Sequence, residues 1–214
     1  INIMGTLKVD NLQKRDGTAL ITDGVAQTNL LSETVLRTAG VGQIKLNTTD
    51  ITSSTATANF NSTYITDTYD IFQLRYSGLD PVTDGVSLRG RLSTDNGSSF
   101  ITTTYKTGYY YNKISGSGSS QSGSSQSNYF SDTLTVGNDS GFQHSGIITF
   151  YGLRSTTHHK VLIQEHVING TNGVPYHVAQ NWYIENTSAI NYIEMSFSSG
   201  NISKGIFSLY GMVK

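Results

Sequence analysis

The chain of 214 residues contains no cysteine, so it has no disulfide framework, no thiol nucleophile and no thiolate metal site. Only 2 prolines occur, and charged residues make up 14%, against the roughly 25% usual for soluble domains. Polar surface must therefore come from Ser, Thr, Asn, Gln and Gly. With 14 basic and 15 acidic residues the net charge is -1, and the basic excess of a nucleic-acid-binding surface is missing. No apolar run approaches the ~18 residues of a membrane-spanning helix, so no membrane insertion is expected. Ile1–Asp10 has neither the basic region nor the apolar stretch of a signal peptide. A Gly-x-Ser-x-Gly elbow, a P-loop, a Gly-x-Gly-x-x-Gly turn and a His-Glu-x-x-His pair are all lacking. Only four acidic residues are Glu, and Asp16, Asp23, Asp84 and Asp95 sit beside Gly, Thr or Asn, where a carboxylate holds a turn. These absences read as a non-enzymatic chain with no cofactor.

What is present favours strands. Tyr outnumbers Phe 13 to 8, and Thr, Tyr and Val fit pleated, half-buried surfaces. From Gln43 onward the pattern is β throughout, with strands expected at Gln43–Leu46, Ala56–Phe60, Asp70–Tyr76, Ser87–Ser93, Thr103–Tyr111, Ser131–Val136, Ile147–Tyr151, Lys160–Val167, Asn181–Ile184, Tyr192–Phe197 and Gly205–Met212. Period-two alternation puts Phe72, Leu74 and Tyr76 on one face. It does the same for Ile193, Met195 and Phe197, and for Phe207 and Leu209. Short strands at this spacing indicate an all-β fold, and the arrangement favoured is an antiparallel jelly-roll-like β-sandwich over residues 43–214.

Residues 1–42 read as a short extended β segment and connector. Leu7 and Val9 alternate with Lys8 and Asp10; Asp16-Gly17 and Asp23-Gly24 are turn signals around Ala19-Leu20-Ile21. Asn29 can cap a two-turn helix over Leu30–Leu36 that Gly40 would end. Leu7, Val9, Leu12, Leu20, Ile21, Leu31, Val35 and Leu36 are apolar, yet a lone hairpin is marginal in water. These residues are expected to assemble the chain with sister copies or a larger particle.

Four features are candidates for chemistry. Residues 115–127 alternate Ser, Gly and Gln, which reads as a long flexible surface loop. Ser93-Thr-Asp-Asn-Gly-Ser-Ser-Phe100 matches the Asp-box of β-propellers; with one copy it is read as a structural hairpin, Asp95 holding backbone amides and Phe100 pinning the turn to the core. Of the five histidines, His144, His158, His159, His166 and His177, the adjacent pair faces opposite sides of a strand, and no acidic group lies at ligand spacing. No metal site is expected within one chain; a threefold axis built from one His per chain stays open. Tyr109-Tyr110-Tyr111 puts at least one ring on an outer face, suited to a sugar or an interface. With Trp182 and the Ser/Gly loop it forms the expected binding surface.

Several phrases carry a resemblance. Gly5-Thr-Leu-Lys-Val-Asp-Asn-Leu-Gln followed by Asp16-Gly-Thr-Ala-Leu-Ile looks like the opening of virion structural and tail-fibre proteins of marine bacteriophages, cyanophages especially. Tyr69-Asp-Ile-Phe-Gln-Leu, Leu92-Ser-Thr-Asp-Asn-Gly-Ser-Ser-Phe, Thr187-Ser-Ala-Ile-Asn-Tyr-Ile, Phe197-Ser-Ser-Gly-Asn-Ile and Gly205-Ile-Phe-Ser-Leu-Tyr-Gly are similar to the jelly-roll-like C-terminal domain of the same proteins. The resemblance implies a virion location after assembly in the host bacterial cytoplasm, a homotrimer, contacts with other virion proteins through the N-terminal segment, and roles from capsid decoration to attachment to a host-surface glycan or receptor. It brings no catalytic residues. The reading from another class is a carbohydrate-binding module of an enzyme system, because jelly rolls serve that role as well.

Overall fold

The computed structural model describes residues 42–114 and 118–213, together with the strand residues 12–13, 19–22 and 25–26. The chain divides into two compact units, Ile1–Ile44 and Lys45–Lys214. In the first, β1 (Leu12–Gln13), β2 (Ala19–Thr22) and β3 (Val25–Ala26) form an antiparallel sheet in that order, with Leu12 opposite Ile21. The helix read over Leu30–Leu36 lies outside the described residues, as do Leu7 and Val9.

The larger unit is an all-β sandwich, entered through β4 (Ile44–Ile51). Its other strands are β5 (Ala58–Phe60), β6 (Tyr69–Pro81), β7 (Leu88–Ser93), β8 (Thr104–Lys113), β9 (Ser119–Ser127), β10 (Phe130–Ser131), β11 (His144–Tyr151), β12 (Lys160–Asn169), β13 (Pro175–Ile184), β14 (Tyr192–Phe197) and β15 (Ile202–Val213). The smaller sheet runs β10-β7-β14-β5 and the larger β4-β15-β6-β11-β12-β13-β8-β9. Setting aside β8, β9, β12 and β13 leaves eight strands in two sheets, β4-β15-β6-β11 and β5-β14-β7-β10. That interleaving of early and late strands is the jelly-roll order. The hairpins β12–β13 and β8–β9 then widen one sheet to eight strands.

Alternation accounts for the core. Phe72, Leu74 and Tyr76 are buried together, as are Ile193, Met195 and Phe197 from the facing sheet, and Phe207 and Leu209. Burying each such side chain contributes roughly 1.5–3 kcal/mol. Gly90 of β7 lies opposite Phe130 of β10, and a Cβ on Gly90 would stand 2.0 Å from the Phe130 ring. The ring fills the space the glycine leaves and reaches across to Phe150 and Trp182 of the larger sheet, at centroid distances of 6.0 and 6.4 Å.

Three local expectations need correction. The Ser/Gly stretch is not a free loop along its length: Ser119–Ser127 is the edge strand β9, paired with β8 from Thr104↔Ser127 to Asn112↔Ser119. It carries no apolar alternation, because its strand character comes from main-chain pairing to β8; a polar edge of this kind also discourages pairing with other chains. The strand expected over Ser131–Val136 shrinks to β10, with Val136 making an isolated bridge to Val86. Phe100 is half-buried on the outer side of the smaller sheet, against the Arg91 guanidinium (3.8 Å) and Tyr192 (6.2 Å). The neighbouring Ile101 takes the buried position instead.

The Asp-box reading of Asp95 is matched in detail. Ser93 Oγ and Ser99 Oγ donate to its carboxylate, and the Ser99 amide donates at 2.8 Å. Asn96 and Gly97 take positive φ of 61° and 90°.

Two measurements check this account. Gly90→Ala should cost about 1–3 kcal/mol in denaturant unfolding, since the Phe130 ring must leave its place; Gly42→Ala, with nothing within 4 Å, should stay within about 0.5 kcal/mol. The hydrogen bonds from Ser93 and then Ser99 hold the Asp95 carboxyl down at about 2, from an ordinary 3.8. A depressed carboxylate stabilises above its unfolded value and loses that contribution as pH falls through the folded one. NMR should therefore show Asp95 titrating near 2, with the Gly97 and Ser99 amides leaving their native shifts in the same step. Asp95→Asn should abolish that step; a midpoint near 4 would contradict the bonding.

Candidate functional sites: an apolar sheet face and a buried Asp-His-His cluster

The outer face of the eight-stranded sheet carries several exposed apolar side chains. On β11, β12 and β13 the outward positions include Ile147, Tyr151, Ile163, Val167 and Tyr183, all exposed. Register makes one row of them contiguous, since Tyr151 lies opposite Val161, which lies opposite Tyr183; Ile163 stands between Thr149 and Asn181, and Ile147 between Arg75 and Glu165. Ile206 of β15, opposite Ser77, extends the surface on the far side. Scattered exposed apolar side chains are ordinary, but a contiguous patch marks an interaction surface.

The tyrosine triplet is divided by the pleat. Tyr110 pairs with Ala179 on the outer face and is 45% exposed. Tyr109 and Tyr111 pair with Gln180 and Val178 on the inner face, half-buried and stacked on each other at 6.2 Å. Tyr111 also meets Tyr176 edge-on at 5.8 Å. Trp182, expected at the binding surface, is 1% exposed among Phe130 and the core, so no ligand reaches it. An aromatic in a strand reads alike from either side; only pairing assigns its face. On the outer face Tyr110, Gly108, Ala179, Asn181, Ile163 and Glu165 line a shallow depression, floored by the two residues without long side chains.

A second site lies inside the sandwich, where sequence spacing gave no sign of one. Asp132 follows β10 of the smaller sheet, whereas His144 on β11 and His166 on β12 belong to the larger. One donor atom from each lies within 4.8 Å of the others, and all three residues are buried. Among the described residues this is the one place where three such donors meet. His144 Nε2 stands 3.1 Å from Asp132 Oδ2 and 3.2 Å from Tyr76 Oη; His166 Nε2 stands 4.0 Å from Asp132 Oδ2. Gln164 Nε2 donates to Asp132 Oδ1 and Tyr76 Oη. Beside it Gln180 Nε2 donates to the Ser131 carbonyl at 2.7 Å, and its Oε1 accepts from the Thr133 amide and hydroxyl.

Gly146 makes room for this belt. It sits between Tyr76 and His166 in register, and a Cβ there would meet His166 Cβ at 2.4 Å and Tyr76 Oη at 2.8 Å. Burial is the main influence on every ionisable member: it raises the Asp132 carboxyl and the Tyr76 hydroxyl, and lowers His144. Burial, then the His177 charge, pushes His166 down to about 3. Each charged form is disfavoured where its desolvation outweighs its partners.

The two aromatic readings separate in unfolding experiments. Trp182→Ala should cost about 3–5 kcal/mol, as for other large core aromatics. Tyr110→Ala should change stability by no more than about 0.5 kcal/mol, as for an exposed surface position. The reverse order would show the faces to be misassigned.

Compared with known protein families and with curated protein sequences, the chain matches no family model and no curated protein.

Proposed function

We propose that the chain is a non-enzymatic structural protein displayed on the surface of a bacteriophage particle, as an appendage or decoration protein, where it assembles as a homotrimer. The virion assignment rests on the sequence phrases around Gly5–Gln13, Asp16–Ile21 and the jelly-roll unit. The observation that carries the structural role is the outer face of the eight-stranded sheet, where Ile147, Tyr151, Ile163, Val167 and Tyr183 are exposed and Tyr151, Val161 and Tyr183 form an unbroken row. Such a face is stable in water only as a small patch, and packing of sister copies buries it. The apolar positions of residues 1–42 supply a second contact for sister chains or other virion proteins, since the segment is too short to bury them itself. The non-enzymatic reading is supported by the cluster at Asp132: its side chains are fully enclosed, so no substrate approaches them.

A second reading, carbohydrate binding, is favoured by one observation. Tyr110 stands beside the depression floored by Gly108 and Ala179, with Asn181 and Glu165 at its rim. An exposed ring offers a platform for a sugar face, and the two polar side chains offer hydrogen-bond partners.

Mass spectrometry and antibody labelling of purified particles should find the chain on the particle exterior; its absence from particles would end the virion reading. Light scattering should give three times the 23.3 kDa chain mass. Ile163→Lys with Val167→Lys should lower that mass without unfolding the chain, and an unchanged trimer would move the interface elsewhere. For the sugar reading, glycan titration followed by NMR should perturb Tyr110 and Ala179, and Tyr110→Ala should abolish the response. Failure of host-surface glycans to bind the wild-type chain would remove it.

A further inference from the structure

Buried polar atoms almost always find partners, and the exceptions call for an unseen ion or water. Among the described residues, five of the twelve such side-chain atoms gather at one point. Asp132 Oδ2, His144 Nδ1, Gln164 Oε1 and both ring nitrogens of His166 are buried without a hydrogen-bond partner. All belong to side chains that converge between β6, β11, β12 and the segment after β10. A cluster of this kind is costly unless something charged or strongly polar completes it.

We propose that Asp132, His144 and His166 ligate one divalent transition-metal ion of the zinc class, with the Tyr76 hydroxyl beside them, as a structural staple between the two sheets. Three observations carry this. The donor set is two imidazoles and one carboxylate, which suits zinc and its neighbours in the first transition row and not calcium or magnesium, whose ligands are oxygens. The spacing is close to what a tetrahedral ion needs. Donors around zinc stand about 3.3 Å apart at ordinary bond lengths; the observed separations from Asp132 Oδ2 are 3.1 and 4.0 Å, and all three donors lie within 4.8 Å of one another. An inward shift of the His166 ring closes the set. Finally, Gly146 lets His166 and Tyr76 close in on the cluster, because any side chain there would collide with both.

The surroundings define the role. No atom of the two histidine side chains is exposed, and the Asp132 side chain is 1% exposed. Three protein donors leave the fourth tetrahedral position to the Tyr76 hydroxyl, which already stands 3.2 Å from His144 Nε2; with no opening through which a substrate could take that position, the ion holds the fold and does not catalyse. Asp132 belongs to the segment leaving the smaller sheet and the histidines to the larger. The ion would therefore link the two layers in a chain that has no cysteine to do so.

Because the site is enclosed, it loads during folding. The full chain is denatured, stripped with a chelator, and refolded with or without one equivalent of ZnCl2 or CoCl2. The proposal expects about one ion per chain by elemental analysis, visible absorption from bound Co2+, and a higher Tm for the loaded protein. His166→Gln should weaken binding by more than about 100-fold, the upper end of what loss of a ligand's supporting partner costs. If that variant does not fold, X-ray absorption at the zinc edge of the loaded wild type decides, since two imidazoles must appear in the first shell. A wild-type chain that refolds to the same Tm with and without either ion and retains no metal would overturn the proposal. So would an edge spectrum without imidazole, or undiminished binding in a folded His166→Gln chain.

Discussion

The larger unit depends on one covering contact, the Phe130–Thr133 segment laid against the inner face of the eight-stranded sheet. An eight-stranded sheet offers twice the width that a four-stranded partner covers, and exposed inner-face apolar area would cost about 25 cal/mol per Å². Phe130 meets that need by leaning over Gly90 toward Phe150 and Trp182. Ser131, Asp132 and Thr133 meet it differently, bonding Gln164 of β12 and Gln180 of β13, two of the four added strands. The hairpin β12–β13 can therefore extend the jelly roll without leaving its inner face bare.

The polar half of that contact is an unusual choice. An apolar replacement of the same volume would avoid the desolvation of a carboxylate, two imidazoles and two amides. Buried polar groups specify geometry where apolar ones tolerate sliding, because each must meet a particular partner. Here they set which segment lies over which strands: Asp132 fits only beside Gln164, and Gln180 only beside Ser131 and Thr133. Gly146 is the complementary requirement on the strand side, a gap that admits Tyr76 and His166 together.

The two faces of the widened sheet divide the protein's work. The inner face is committed to the core, down to Trp182 and the fully enclosed Lys160, whose ammonium caps the Ser155 and His158 carbonyls. The outer face is left with isoleucine, valine and tyrosine in contact with solvent, with Arg75 and Glu165 set among them beside Ile147. The jelly roll does not determine what docks there, since the same frame serves capsids, lectins and enzymes alike. It does determine that the available surface is broad and made of rigid strands, with Tyr110 at one edge of it.

The class of fold is legible in the chain alone, because period-two alternation survives any packing: Phe72, Leu74, Tyr76, Ile193, Met195, Phe197, Phe207 and Leu209 are all inward as their spacing requires. So is the Asp95 turn, whose bonds are local. Strand β9 escaped notice since Ser and Gly carry no alternation, and its pairing to β8 is a main-chain property. Which face of each strand meets the core follows from sheet pairing, and that pairing buries Trp182 and leaves Tyr110 on the surface. Asp132, His144 and His166 were invisible for the same physical reason. They come from a segment and two strands whose proximity is set by sheet register and by the crossing of two layers, and side-chain chemistry along one chain does not encode distances between layers.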